Sequence, residues 1–202
     1  MKDTFRCWSN VDVLNLDATM NLILTGRTAK NGFPSEELFK YIGDKSKNLK
    51  ILDFGCGIGR NTFGLNAYSP NWTIIGYDNE NMIKKTEEFH ASNYSNNIPP
   101  SVKFYSEWDI VKTIHFDVIF CCLVLQHIFE NILFNYISNF KIMANKLVVS
   151  GRRFNDDTKK RSNWSILEDN GLVPHKFYLH QTQIEYMPEG HPEDHNTAIY
   201  LL

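Results

Sequence analysis

The stretch Asp53-Phe54-Gly55-Cys56-Gly57-Ile58-Gly59-Arg60-Asn61 decides the fold. It follows the apolar run Lys50-Ile51-Leu52 and leads into a helical run, Asn61 to Tyr68, stopped by Ser69-Pro70-Asn71. A strand that enters a glycine-rich turn and leaves as a helix brings backbone N–H groups close to a ligand, with no Cβ in the way. The dinucleotide fingerprint needs glycine at its first, third and sixth positions, whereas here Arg60 takes the sixth and Gly59 the fifth. A phosphate loop ends in Gly-Lys-Ser/Thr, and no such ending follows. Both of those readings weaken.

Outward from this turn, short β-rich runs alternate with helical ones, which predicts a parallel sheet covered on both faces. Thr73 to Asp78, Val102 to Ser106, Phe116 to Cys122 and Lys146 to Ser150 read as further strands. A helix from Asn79 to about Asn93 is broken by Asn96-Asn97-Ile98-Pro99-Pro100. Phe129, Ile132, Leu133, Tyr136, Ile137 and Phe140 recur at three- and four-residue steps, the spacing of one helix face. Trp164 to Asn170 is a short helix with Gly171 as its left-handed cap. His175 to His180 and Thr197 to Leu202 read as a last pair of strands. The connections Gly151 to Asn163 and Gln181 to Asn196 are long, and loops of more than about 12 residues in a compact domain are often functional. No repeat or linker divides the chain. Residues 1–202 read as one domain with a helical segment at 1–48, a central part at 49–150 and a final part at 151–202.

Composition narrows the function classes. With 43% hydrophobic and 13% aromatic residues the chain fills a core, which excludes disordered and fibrous readings. A formal net charge of −2 supplies no global attraction to nucleic acid or an anionic membrane. Cys7, Cys56, Cys121 and Cys122 have neither metal-ribbon nor redox-pair spacing, so a reducing cytoplasm is expected. No signal-peptide pattern opens the sequence, and no apolar run reaches the roughly 18–20 residues of a membrane span.

The Asp-x-Gly-x-Gly-x-Gly pattern after Ile51-Leu52 resembles the first motif of class I S-adenosylmethionine-dependent methyltransferases. Asp78 closes the second strand 25 residues after Asp53, near the roughly 20-residue offset of a ribose-binding acid. Phe116-Asp117-Val118-Ile119 followed by Val124-Leu125-Gln126-His127-Ile128 resembles the family's fourth strand and the turn after it. The resemblance covers residues 49–150 closely, the tail only by topology, and residues 1–48 not at all. It implies a doubly wound, Rossmann-like α/β fold, with a mostly parallel seven-stranded sheet, an antiparallel last strand and a helical N-terminal lid.

It also implies site residues. Asp53 would orient the turn and the cofactor's amino group, and Gly55, Cys56, Gly57 and Gly59 would form the wall against the methionine moiety. Asp78 would hold the ribose hydroxyls, since a carboxylate accepts two hydrogen bonds at once. Asn79 and Met82 would flank adenine, Glu107 or Trp108 would contact it from the turn Ser106-Glu107-Trp108-Asp109, and Cys122, Leu123 and His127 would line the pocket.

Methyl transfer from a sulfonium is an in-line displacement, so the protein chiefly aligns the acceptor, with a base where oxygen or nitrogen must lose a proton. His127 is the first candidate base by position, or a histidine that touches cofactor only; His195, beside Asp194, is the alternative base. Arg152 and Arg153 head the first long loop, which also carries Lys159, Lys160 and Arg161. That density of cations suits a phosphate or carboxylate on the acceptor, or a solvated loop. His191 and His195 lack a matching third histidine, so no metal is expected. Trp8 and Arg27 are acceptor-side candidates in the lid.

After the fourth strand the chain reads Cys121-Cys122-Leu123-Val124, not the Asn/Asp-Pro-Pro-Tyr/Phe of enzymes that methylate DNA amino groups, and no cysteine follows a proline. Nucleic acid is thus disfavoured. The expected activity moves a methyl group to an oxygen or nitrogen of a small polar metabolite, such as a sugar or sugar phosphate. Methylation of a protein or tRNA, and a non-catalytic cofactor-binding partner subunit, are the alternatives. Oligomeric state has no signal in the sequence.

Overall fold

The computed structural model describes residues 38–94, 98–122, 124, 125, 128, 130–152, 163–180 and 195–202. The first strands form where apolar side chains fall on both faces: β1 (Lys50–Phe54), β2 (Thr73–Tyr77) and, after β3 (Val102–Tyr105), β4 (Val118–Cys122). Such strands need cover on both sides. Helices α1 (Arg60–Tyr68), α2 (Glu80–Tyr94), α3 (Trp108–Val111), α4 (Glu130–Met143) and α5 (Asn163–Asp169) alternate with them. β5 (Lys146–Arg152), β6 (Pro174–His180) and β7 (His195–Leu201) complete the sheet.

The strand order is β3-β2-β1-β4-β5-β7-β6. Six strands run one way; β7 is antiparallel to both β5 and β6. Order reverses between β1 and β4, which are direct parallel neighbours. In open α/β sheets that switch point opens a crevice at the carboxyl ends of the strands.

Alternation sorts the core into two layers. Leu52, Phe54, Ile75, Tyr77, Ile119, Cys121, Leu147 and Val149 meet Leu133, Ile137 and Phe140 of α4 and Ile166 and Leu167 of α5. Ile51, Ile74, Val118, Phe120, Cys122 and Val148 meet Leu65 of α1, Trp72, and Leu38, Phe39 and Ile42 from the segment before β1. Each such aliphatic or aromatic side chain contributes about 1.5–3 kcal/mol when fully buried. The end of the expected lid is therefore part of the core, and the Lys146 Nζ donates to the carbonyls of Tyr41 and Ile42. Residues 1–37 lie outside the described residues.

Several boundaries differ from the sequence reading. α3 was not foreseen; Trp108 is packed among Phe54, Tyr77, Tyr136 and Phe140, and that tertiary contact holds a turn of low intrinsic helicity. β4 starts at Val118, because Phe116 makes only an isolated bridge to Ala144 and Asp117 accepts the Lys50 N–H through Oδ2 at 2.7 Å. Within α4, Ile132 is 40% exposed, off the buried stripe of Leu133, Ile137 and Phe140. β5 runs on to Arg152 and β7 starts at His195, since their antiparallel ladder continues through Gly151–Asn196 and Arg152–His195. Both long loops shorten accordingly, and both leave the carboxyl edge of the sheet. Among the described residues no helix is long and apolar enough to cross a membrane.

Candidate functional site

The glycine turn follows β1 at the switch point, and the chain holds it from several directions. From β2, the Tyr77 carbonyl accepts the N–H groups of Gly55 (2.8 Å) and Cys56 (3.0 Å). Asp78 Oδ2 accepts the Gly57 N–H at 2.9 Å, while its Oδ1 accepts from the Asn79 N–H (2.7 Å) and Nδ2 (2.9 Å). The surrounding protein raises the Asp78 carboxyl above the usual carboxylate range, and these three donors pull it back.

Asp53 is 1% exposed and accepts from Thr62 Oγ1 at 2.6 Å, joining the end of β1 to the first turn of α1. Burial pushes its carboxyl up to about 7, against the opposing pull of Thr62 and the Arg60 charge.

Two glycines show what the turn is shaped for. Gly55 has φ +73, and a Cβ there would run into the Val124 side chain, so the turn is pressed against the chain leaving β4. Gly57 has φ +57, and a Cβ there would meet nothing within 4 Å. The backbone at Gly57 thus borders open space, next to the Asp78 carboxylate just past the end of β2.

Sequence reasoning missed the far side of the turn. Met82, Thr86 and His90 lie four residues apart on α2 and are 2%, 0% and 7% exposed, one buried face. Thr86 Oγ1 lies 2.8 Å from the Gly57 carbonyl and 2.9 Å from its own helix's Met82 carbonyl, and donates to them. His90 Nε2 donates to the Ile58 carbonyl at 3.0 Å, with its ring 4.1 Å from that of Phe63. Burial lowers the His90 pKa, against the opposing pull of the Ile58 carbonyl. The i, i+4 spacing of Thr86 and His90 was readable; their carbonyl partners were not.

Other expected residues take these places. Asn79 Oδ1 accepts the Met82 N–H at 3.1 Å and so caps α2. The Cys56 thiol lies against Gly76, where a Cβ would sit 3.0 Å from the sulfur. Gly59 is left-handed at φ +87 and opens α1. Glu107 is exposed, and its Oε2 accepts the Ser106 N–H at 3.2 Å. Trp108 packs 4.7 Å from the Tyr136 ring. Cys122 ends β4 beside the side chains of Asn61 and Ser150, and burial pushes its thiol up to about 11. Arg152 and His195 are register partners at the carboxyl edge, and His195 also pairs with His180. Leu123, His127, Trp8, Arg27, Arg153 and His191 lie outside the described residues. Among the described residues no group of three metal-ligating side chains is gathered.

Asn61, which leads from the turn into α1, is a further buried polar residue here. It is 6% exposed, and its Oδ1 has no hydrogen-bond partner.

Residues 52–144 match a family model described as a methyltransferase domain. No curated protein is similar in sequence to the chain. Among solved structures, the N-methyltransferase NodS from Bradyrhizobium japonicum, in complex with S-adenosyl-L-homocysteine, is 17% identical with a TM-score of 0.66, over 99% of this chain and 98% of that one. Magnesium protoporphyrin IX methyltransferase from Synechocystis, with bound S-adenosylmethionine, is 16% identical with a TM-score of 0.59, over 98% and 89%. An O-methyltransferase family protein from Burkholderia thailandensis is 12% identical with a TM-score of 0.58; the match covers 83% of this chain but only 55% of that one. At these identities the likeness is one of fold.

Proposed function

We propose that the chain is a class I, S-adenosylmethionine-dependent methyltransferase that methylates an oxygen or nitrogen of a small polar metabolite, supported by the match of residues 52–144 to a methyltransferase-domain model and by the likeness in fold to methyltransferases of known structure. The observation that carries the reading is the Asp78 carboxylate held against the open backbone at Gly57. A carboxylate offers about four lone-pair sites, and three are taken by Gly57 and Asn79, so a ribose hydroxyl still finds an acceptor there. The space at Gly57 fits a ligand lying directly on the backbone.

The cofactor supplies a methyl on a positively charged sulfur; the acceptor's lone pair forms the new bond to that carbon as the carbon–sulfur bond breaks. What remains for this chain is alignment and removal of a proton from the acceptor. His127 or His195 is the base in this reading. Arg152 and Arg153 receive an anionic group on the acceptor, which favours a sugar phosphate or similar metabolite. The placement of Arg152 beside His195 at the carboxyl edge supports it. The N-terminal segment serves as a lid in this reading, anchored in the core at its end by Leu38, Phe39 and Ile42 within one domain. Cys56, Cys121 and Cys122 are free thiols, in keeping with a reducing cytoplasm.

A methyl-transfer screen with labelled S-adenosylmethionine over sugar nucleotides, phosphorylated sugars and small amines tests the proposal. Turnover of a small acceptor is the expected result. Label appearing only in protein or tRNA fractions would remove it.

A further inference from the structure

β5, β7 and β6 all reach the carboxyl edge of the sheet on the same rung. Arg152 is the last residue of β5, His195 the first of β7 and His180 the last of β6. Arg152 and His195 are register partners, and so are His195 and His180. Directly opposite residues of antiparallel strands share a face of the sheet, with Cα atoms about 4.5–5.5 Å apart. The topology therefore sets one arginine and two histidines side by side at the rim, although they are far apart in sequence.

The rungs behind this one change character toward the rim. Val148 and Ile199 are register partners within the apolar layer. Two residues nearer the edge, Ser150 and Thr197 are partners at 5% and 0% exposure, and Thr197 Oγ1 donates to Ser150 Oγ at 3.2 Å. Two residues further on come Arg152 and His195, at positions of the same face by alternation. The ladder thus passes from apolar to hydroxyl to basic residues. Neither the rim rung nor the two behind it, which also take in Gly151, Asn196, Leu179 and Tyr178, holds a carboxylate.

Two opposed histidines alone would suit a transition metal. An arginine on the same rung carries a permanent positive charge, and that favours an anion instead. A carboxylate has two oxygens, which one guanidinium fork satisfies. A phosphate monoester has three terminal oxygens, enough to be shared between the fork and imidazole N–H groups. We propose that Arg152, His195 and His180 form a phosphate-binding rung for the acceptor. This rests on the anionic acceptor of the proposed function and adds His180 to it. In the order β4-β5-β7, β7 stands two strands from β4, or about 10 Å at roughly 4.8 Å per strand. With the cofactor at the β1–β4 switch point, the phosphate lies about that far from the methyl-accepting atom, a span suited to a sugar phosphate. His195 then holds the phosphate, which leaves the acceptor's proton to His127.

NMR titrations of the full chain test this, with inorganic phosphate and acetate as probes. The native chain is expected to bind phosphate about tenfold more tightly than acetate. His180→Ala is expected to weaken phosphate about fivefold or more and acetate by less than about twofold, whereas Arg152→Gln weakens both about tenfold. Amide signals that stay in place away from the carboxyl edge show that each variant is folded. Phosphate affinity unchanged in His180→Ala, or acetate bound as tightly as phosphate, would overturn the rung. So would zinc bound more tightly than phosphate and lost in His180→Ala, the result for a metal site. Phosphate held by a native chain that does not take up S-adenosylhomocysteine would keep the rung and remove the cofactor reading. S-adenosylhomocysteine bound without any phosphate binding would do the reverse.

Discussion

Thr62 Oγ1 lies 2.6 Å from Asp53 Oδ2, and this buried hydrogen bond fastens the first turn of α1 to the last residues of β1. Thr62 gives the Asp53 carboxyl both its hydroxyl and its backbone N–H, and desolvation outweighs them. The carboxyl sits near 7 instead of its ordinary 3.8.

That shift sets a pH dependence. Between about 3.8 and 7 the unfolded chain has lost the Asp53 proton and the folded chain keeps it, so the folded state binds more protons. Stability from this group is full below the lower value and falls as pH rises to the upper one. Asp53→Asn, which still accepts from Thr62, is expected to lose less stability than the native chain between pH 4 and 8, by about 4 kcal/mol. Urea unfolding at the two pH values measures it. Parallel losses in both proteins would mean that Asp53 ionises normally.

Asp78→Ala removes the acceptor for the Gly57 N–H and, in the proposed function, for the ribose. Affinity for S-adenosylhomocysteine should drop by roughly 1.5–3 kcal/mol, the range for a hydrogen bond to a charged group. Calorimetry reads this directly, and unchanged affinity would displace the ribose from β2.

Thr86→Val and His90→Phe each take one donor away from the turn's carbonyls without changing size much. Each should weaken S-adenosylhomocysteine about fivefold, from a neutral hydrogen bond worth about 1 kcal/mol. The pair together should show coupling, because both bonds hold adjacent peptides of one loop. If the double variant binds like the native chain, the turn keeps its shape without α2.

Gly57→Ala introduces a Cβ into open space at φ +57. The backbone strain costs about 1–2 kcal/mol of stability. Loss of cofactor affinity should be larger than tenfold, since the methyl occupies the space that the ligand needs. A variant destabilised but still binding normally would put the ligand elsewhere.

Charge reversal of Arg152 and Arg153 should raise the KM of a phosphorylated acceptor about tenfold and leave S-adenosylhomocysteine affinity alone. The rise should shrink as salt is added. Steady-state kinetics at two ionic strengths checks both statements.

The strands were legible because burial on two faces leaves apolar runs that tolerate little else, as in Val118–Cys122. The turn was legible because its left-handed glycines have few substitutes. Legibility stopped where a side chain's role depends on a partner distant in sequence. Asn79 reads equally as a ligand contact or a helix cap, and the Met82 N–H shows it capping α2. Trp108 reads as an adenine contact or as a core aromatic, and the packing of Phe54 and Tyr136 against its ring is settled only by the fold. Thr86 and His90 look like ordinary helix residues until the Gly57 and Ile58 carbonyls are placed beside them. Asn61 carried no signal, because an orphaned oxygen is a property of packing.

The position of β7 bears on the order in which the molecule is made. It is the last of the seven strands to leave the ribosome, yet it lies inside the sheet, between β5 and β6. The parallel strands β1 to β4, with the glycine turn and Asp78, can pair while synthesis is still under way. β5 keeps the edge that faces β7 unpaired until His195–Leu201 arrives, and among the described residues β6 pairs with β7 alone. An incomplete chain therefore owns a cradle for the cofactor before it owns the Arg152–His195 junction, and its open β5 edge is a site for mispairing that only the finished chain closes.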